Sequence, residues 1–105
     1  MIAKAVPFRS EAYRRYVASK DCFGCGISGY SQCAHENGGG MGTKASDLET
    51  FPLCCTRPTH IGCHMAFDLC IDMSRAERRE LTVQYVERMQ AIAKSEGRRE
   101  FKEAA

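Results

Sequence analysis

The stretch FPLCCTRPTHIGCHMAFD, residues 51–68, decides how this chain is read. Cys54 and Cys55 are adjacent, Cys63 follows after a turn-like TRPTH, and His64 comes directly after it. A second cluster lies upstream in CFGCG, where Cys22 and Cys25 have the two-residue gap of a metal-binding knuckle. Glycine after such a pair lets the chain reverse while backbone N–H groups point at the sulfurs. A tetrahedral four-cysteine zinc site uses two clusters brought together by the fold. The reading adopted is Cys22, Cys25, Cys54 and Cys63. Their second spacing is wide, so the residues between Cys54 and Cys63 must bulge as a loop. Cys55 and His60 are alternative ligands. Buried thiols packed as small hydrophobes are the competing explanation. Cys33 and Cys70 have no evident partners and read as core residues.

The chain has 105 residues, one domain by length, and 44% hydrophobic content, ordinary for a folded protein. Seven cysteines are an odd number, and close cysteine spacings in a cytoplasmic chain point to metal before disulfide. A core this small gains from a structural metal. No apolar run is long enough to span a bilayer, and the N-terminal stretch lacks the apolar centre of a signal peptide. Cytoplasmic residence, with no membrane partner, is the expectation. The net charge of +2 is unevenly spread. Residues 1–20 carry +4, residues 21–74 carry −4 and residues 75–105 carry +2. An acidic centre between basic arms fits metal ligands in the middle and phosphate contacts at the edges. Solvated helix faces would give the same pattern.

Local signals set the elements. SEAYRRYVAS reads as a short helix capped by Ser10, with Pro7 and Phe8 leading in and Tyr13, Tyr16 and Val17 on one face. YSQCAHE reads as a strand ending at His35. The glycine-rich NGGGMGTKASD is a loop. LETFPLCC is a second strand in which Pro52 suggests an edge. IGCHMAFDLCI has helical spacing, with Met65 and Leu69 on one side and His64 and Asp68 on another. SRAE at residues 74–77 is a capping box. Leu81, Tyr85, Met89 and Ile92 then define one apolar face of a long helix over about 75–96, with Gly97 as its C-terminal stop. RREFKEAA reads as a frayed or loosely docked tail.

His64 and Asp68 are four apart on a helix, hence neighbours. Together they suit a divalent cation with open coordination positions. Cys63 points about 100° away round the same helix. His35 is the natural third group, a neutral imidazole able to take a proton from water.

These residues carry a family resemblance. The order CFGC, AHEN, GMGTKASD, FPLC, GCHMAFD resembles the HNH, or ββα-metal (His-Me finger), nuclease superfamily with a structural zinc. More narrowly it is similar to small phage and prophage members of the Ref and YbcO types. The resemblance covers residues 20–70. It implies an α+β fold, a zinc-stabilised ββα-metal core with a flanking N-terminal helix and a long C-terminal helix. It also implies a metal-dependent DNA endonuclease that leaves a 5′-phosphate and a 3′-hydroxyl. His35 would be the general base. His64 and Asp68 would hold a catalytic cation such as Mg2+ or Mn2+, separate from the structural Zn2+. Asp47 would be the middle polar residue that orients the base or pins the loop, with Asn37 competing for that place. Where many members have two adjacent histidines, this chain has Ala34–His35. Water, Asp68 or Asp47 would fill the missing ligand's place. Arg14, Arg15, Arg57, Arg78 and Arg79 are the expected phosphate contacts. DNA is the expected partner, and a recombinase or another phage recombination or replication protein is a second. The rival reading is a non-catalytic zinc-stabilised module that binds nucleic acid or protein. A thiol-redox enzyme built on CFGC is disfavoured, because no strand–helix unit surrounds the motif.

Overall fold

The computed structural model describes residues 9–35 and 46–103. Pro7, Phe8, Asn37, the glycine-rich loop through Lys44 and the last two residues lie outside the described part. The elements run α1 (Glu11–Ala18), β1 (Ser31–His35), β2 (Thr50–Cys54), α2 (Cys63–Asp68), α3 (Arg75–Ser95) and α4 (Glu100–Glu103). The result is a small α+β protein with one two-stranded antiparallel sheet.

A two-stranded ribbon is marginal alone, and here both faces are covered. Gln32 pairs with Leu53 and Ala34 with Phe51, while Cys33 pairs with Pro52 and His35 with Thr50. Alternation puts these pairs on two opposite faces. On the first face, Phe51 packs edge-on against Phe67 of α2 and at a tilt against Tyr85 of α3, each at 5.4 Å between centroids. On the second, α1 packs over the strands and completes the core with the fully buried Tyr13 and Val17. Pro52 fits because its polar side points away from β1. Its carbonyl accepts from the Phe23 amide at 3.0 Å instead.

The termini of the helices follow from side-chain chemistry. Ser10 accepts from the Tyr13 amide at 3.1 Å and caps α1. Ser74 and Glu77 form the reciprocal capping box at the start of α3. Gly97, at φ +80°, closes α3 with bonds from its own amide to the Lys94 carbonyl and from the Arg98 amide to the Ala93 carbonyl. This is a Schellman turn.

Two expectations change. The helix beginning at Cys63 does not run through Ile71. It ends at Asp68 in another Schellman turn, in which the Ile71 amide bonds the Ala66 carbonyl at 2.9 Å. Cys70 takes the left-handed position at φ 54°, where glycine is usual, so no sequence signal marks the stop. Met65 and Leu69 stay exposed, and Phe67 is the residue this helix buries. The tail is also docked at least as far as Phe101. Its ring meets Tyr13 edge-on at 5.7 Å, and Arg98 pairs with Glu100 at 2.6 Å. No described helix is long and apolar enough to cross a membrane.

Candidate metal centre and the two histidine sites

The knuckle at Cys22 is built from backbone donors. Its Sγ accepts from the amides of Gly24 at 3.2 Å, Cys25 at 3.4 Å and Cys54 at 3.3 Å. The outer edge of β2 therefore delivers Cys54 to the knuckle. Cys54 Sγ lies 3.7 Å from Cys25 Sγ and accepts from the Cys63 amide at 3.3 Å.

The wide gap before Cys63 is closed by a pinch. Arg57 and His60 pair across a tight turn through Pro58 and Thr59. Gly62 then passes so close to Cys55 that a Cβ on it would stand 2.3 Å from the Cys55 carbonyl carbon. Its amide donates to Thr56 Oγ1 at 3.0 Å. The two ends of the bulge meet, so residues far apart in sequence act as an ordinary second knuckle.

The four sulfurs of Cys22, Cys25, Cys54 and Cys63 lie within 4.8 Å of one another. Zinc–sulfur bonds of about 2.3 Å at tetrahedral angles put sulfurs about 3.8 Å apart. The quartet, with its backbone donors, fits a metal ion such as zinc. All seven cysteines are free thiols. Among the described residues this is the one cluster of three or more His, Cys, Asp or Glu side chains with that reach. Without metal, its protons are unevenly held. Burial opposes ionisation of Cys54, yet the Cys63 amide, the Arg57 guanidinium and the Cys25 thiol bring its pKa down to about 7. Burial and the neighbouring Cys22 push Cys63 up. One thiolate in the group thus discourages the next.

Cys55 and His60 stand outside the quartet. Cys55 lines a groove on the other side, and the exposed His60 bonds Thr59 at 2.9 Å. Cys33 packs against the core, and Cys70 occupies the turn after α2.

His35 and Asp47 meet. The imidazole Nε2 lies 3.1 Å from Oδ1 of Asp47, whose side chain is 1% exposed. Asp47 Oδ1 also accepts from Arg9 at 3.2 Å, and Oδ2 accepts from the Ser10 amide at 2.7 Å and from Arg14 at 2.6 Å. Burial would raise the Asp47 pKa, but the Ser10 amide, His35 and Arg14 outweigh it and hold the carboxyl below its usual range. Both oxygens are fully engaged. Asp47 is therefore not available to fill the place of a missing metal ligand.

His64 and Asp68 also meet, with Nε2 and Oδ2 at 3.6 Å. His64 Nδ1 lies 2.9 Å from Gln32 Oε1 on β1. An open groove of about 480 Å³ runs past Gln32, Cys55, His64 and Asp68. His35 and Gln32 project from opposite faces of β1, so the two histidine sites flank the strand rather than merging. The parts played by Gln32, Gly24 and Gly62, and the bond from the Ser10 amide to Asp47, went unread in the sequence, since only register and close approach reveal them.

The arginines are dispersed. Arg14 serves Asp47, and Arg15 pairs with Glu11 at 2.7 Å. Arg57 stacks on Tyr30 at 4.8 Å and donates to the Cys55 carbonyl at 3.1 Å. Arg78 lies over the Phe67 ring at 4.7 Å, and Arg79 is exposed on α3.

A family model described as a protein of unknown function, DUF968, matches residues 1–68. The chain belongs to the DUF968 family. The matched segment holds the cysteine quartet, His35, Asp47, His64 and Asp68, and ends where α2 ends. The long α3 lies beyond the part that defines the family here. No curated protein and no solved structure matches the chain.

Proposed function

We propose that this DUF968 protein is a metal-dependent endonuclease of the ββα-metal (HNH) kind, acting on DNA, with His35 as general base. The order hairpin, cysteine-anchored turn, short helix supports the reading. The observation that carries it is the His35–Asp47 contact. An Nε2–H donated to a buried carboxylate leaves Nδ1 as a lone pair on a partly exposed imidazole. That nitrogen can accept the proton of a water attacking phosphorus. Asp47 holds the ring and its tautomer. His64 Nε2 and Asp68 Oδ2 face each other across a gap that suits a cation keeping several of its own waters. When bound there, across β1 from His35, a cation such as Mg2+ or Mn2+ would supply charge for a phosphate oxygen of the DNA backbone. The products would be a 5′-phosphate and a 3′-hydroxyl.

A second reading, a zinc-stabilised module that binds nucleic acid or protein without cutting, draws on one observation. His35 and the His64–Asp68 pair stand on opposite faces of β1, and the pair has no third protein ligand among the described residues. Nicking of supercoiled plasmid with Mg2+ or Mn2+ decides between them, using wild type, His35→Ala and His64→Ala. Cutting by wild type and loss in both variants is expected. A wild type that never cuts with any divalent metal removes the nuclease reading. Cutting that survives His35→Ala removes the base assignment.

A further inference from the structure

We propose that Arg14 is a positioning residue for His35, acting through Asp47, rather than a contact to the nucleic-acid backbone. The inference rests on the nuclease reading for its catalytic consequence, but its structural part stands apart from it.

The Asp47 carboxylate has two differently used oxygens. Oδ1 faces His35 Nε2 at 3.1 Å and also accepts from Arg9 at 3.2 Å. Oδ2 is gripped by α1, through Arg14 Nη1 at 2.6 Å and the Ser10 amide at 2.7 Å. A carboxylate rotates about one bond, so whatever fixes Oδ2 also fixes where Oδ1 points. On Oδ2 the Ser10 amide gives one anchor, and Arg14 gives the second, charge-assisted and shorter than the Arg9 contact on Oδ1. Their combined effect is to keep Asp47 an ionised acceptor aimed at Nε2. The imidazole is then held with its proton on Nε2 and its lone pair on Nδ1. Arg14 is 37% exposed, close enough to solvent to look like a DNA contact in sequence, yet its guanidinium is committed inward.

The test uses zinc-loaded full-length protein and two readouts. The first is ¹⁵N NMR of the imidazoles, without DNA or catalytic metal, in wild type, Arg14→Gln and Arg14→Lys. His35 in wild type is expected as the Nε2–H tautomer. Arg14→Gln is expected to mix the tautomers, and Arg14→Lys, which retains one cationic donor, to restore the wild-type pattern. The second readout is steady-state cleavage. Arg14→Gln is expected to lower kcat by about tenfold or more with KM for DNA unchanged. A raised KM with unaltered kcat and tautomer would make Arg14 a phosphate contact and overturn the proposal. A wild-type His35 carrying its proton on Nδ1 would overturn it even if Arg14→Gln fails to fold. If wild type does not cut, the nuclease reading falls, and the tautomer readout alone still decides the role of Arg14.

Discussion

A Cβ placed on Gly24 would stand 2.7 Å from the Sγ of Cys63 and 3.0 Å from its Cβ. The first knuckle and the start of α2 are therefore in contact through a residue with no side chain to spare. Gly24→Ala is expected to push Cys63 out of the quartet. Overpacking of this kind costs about 1–3 kcal/mol. Competition with a chromophoric chelator should show weakened zinc binding, together with a lower Tm. Unchanged zinc affinity in the variant would mean that Cys63 is not held where its sulfur completes the site.

Metal removal should affect the whole fold. The hairpin has only two strands, and the quartet ties β2 to α2 and to the turn after α1. Metal analysis is expected to find one zinc per chain, lost in Cys54→Ser and Cys63→Ser. Chelation should lower Tm or unfold the protein outright. The raised Cys63 pKa means that zinc displaces a proton there, so affinity should fall as pH falls. A chain that retains its fold and Tm in excess chelator would show that the cysteines are packing residues.

The local part of this architecture is legible in sequence. Ser10, the Ser74–Glu77 box, Gly97 and the Leu81–Ile92 stripe act on residues three or four away, and spacing alone exposes them. The cysteine quartet is readable because ligand chemistry restricts the partners. What spacing cannot convey is register. That His35 turns towards α1 while Gln32 turns towards His64 depends on which strand residues pair. The partner of Arg14 lies 33 residues away in sequence, across the whole hairpin's first strand. The end of α2 is hidden because Cys70 stands where a glycine would have announced it.

That same position gives a stability prediction. Cys70 at φ 54° bears the strain of a left-handed non-glycine residue, about 1–2 kcal/mol. Cys70→Gly should raise stability by about 1 kcal/mol while zinc stoichiometry stays the same, since Cys70 is outside the quartet. Gly97→Ala, at φ +80° with nothing near its missing Cβ, should do the reverse by a similar amount. Urea unfolding of zinc-loaded protein measures both. Destabilisation by Cys70→Gly would point to a packing role for its thiol.

Asp47 sets an acid limb to stability. Its pKa is depressed in the folded protein, so its contribution is present above the ordinary aspartate value near about 3.9 and fades as pH falls through the folded value. At neutral pH, Asp47→Asn should cost about 2–3 kcal/mol through its charge-assisted bonds. The gap between wild type and variant should narrow below pH 4. Zinc loss also destabilises in acid, so zinc content must be followed in both proteins and the difference between them taken. A gap independent of pH would mean that Asp47 is not ionised in the fold.

The last prediction concerns Gln32, which contacts His64 from the neighbouring strand at 2.9 Å. In the tautomer whose Nδ1–H donates to Oε1, Nε2 presents a lone pair towards Asp68 Oδ2. The separation of 3.6 Å is too long for a hydrogen bond. Two acceptors thus face each other with nothing donated between them, an arrangement that a cation resolves. Gln32→Leu removes the acceptor that fixes the tautomer while leaving both ligand atoms in place. Losing such an orienting partner typically weakens metal binding by about 10- to 100-fold. Mn2+ added to zinc-loaded protein should broaden the NMR signals of His64 and Asp68 first. The Gln32→Leu variant should need correspondingly more Mn2+, and Asp68→Ala more still. Broadening confined to the acidic side chains of α3, or equal in all three proteins, would remove His64 and Asp68 as a cation site and leave the cysteine quartet as the protein's only metal centre among the described residues.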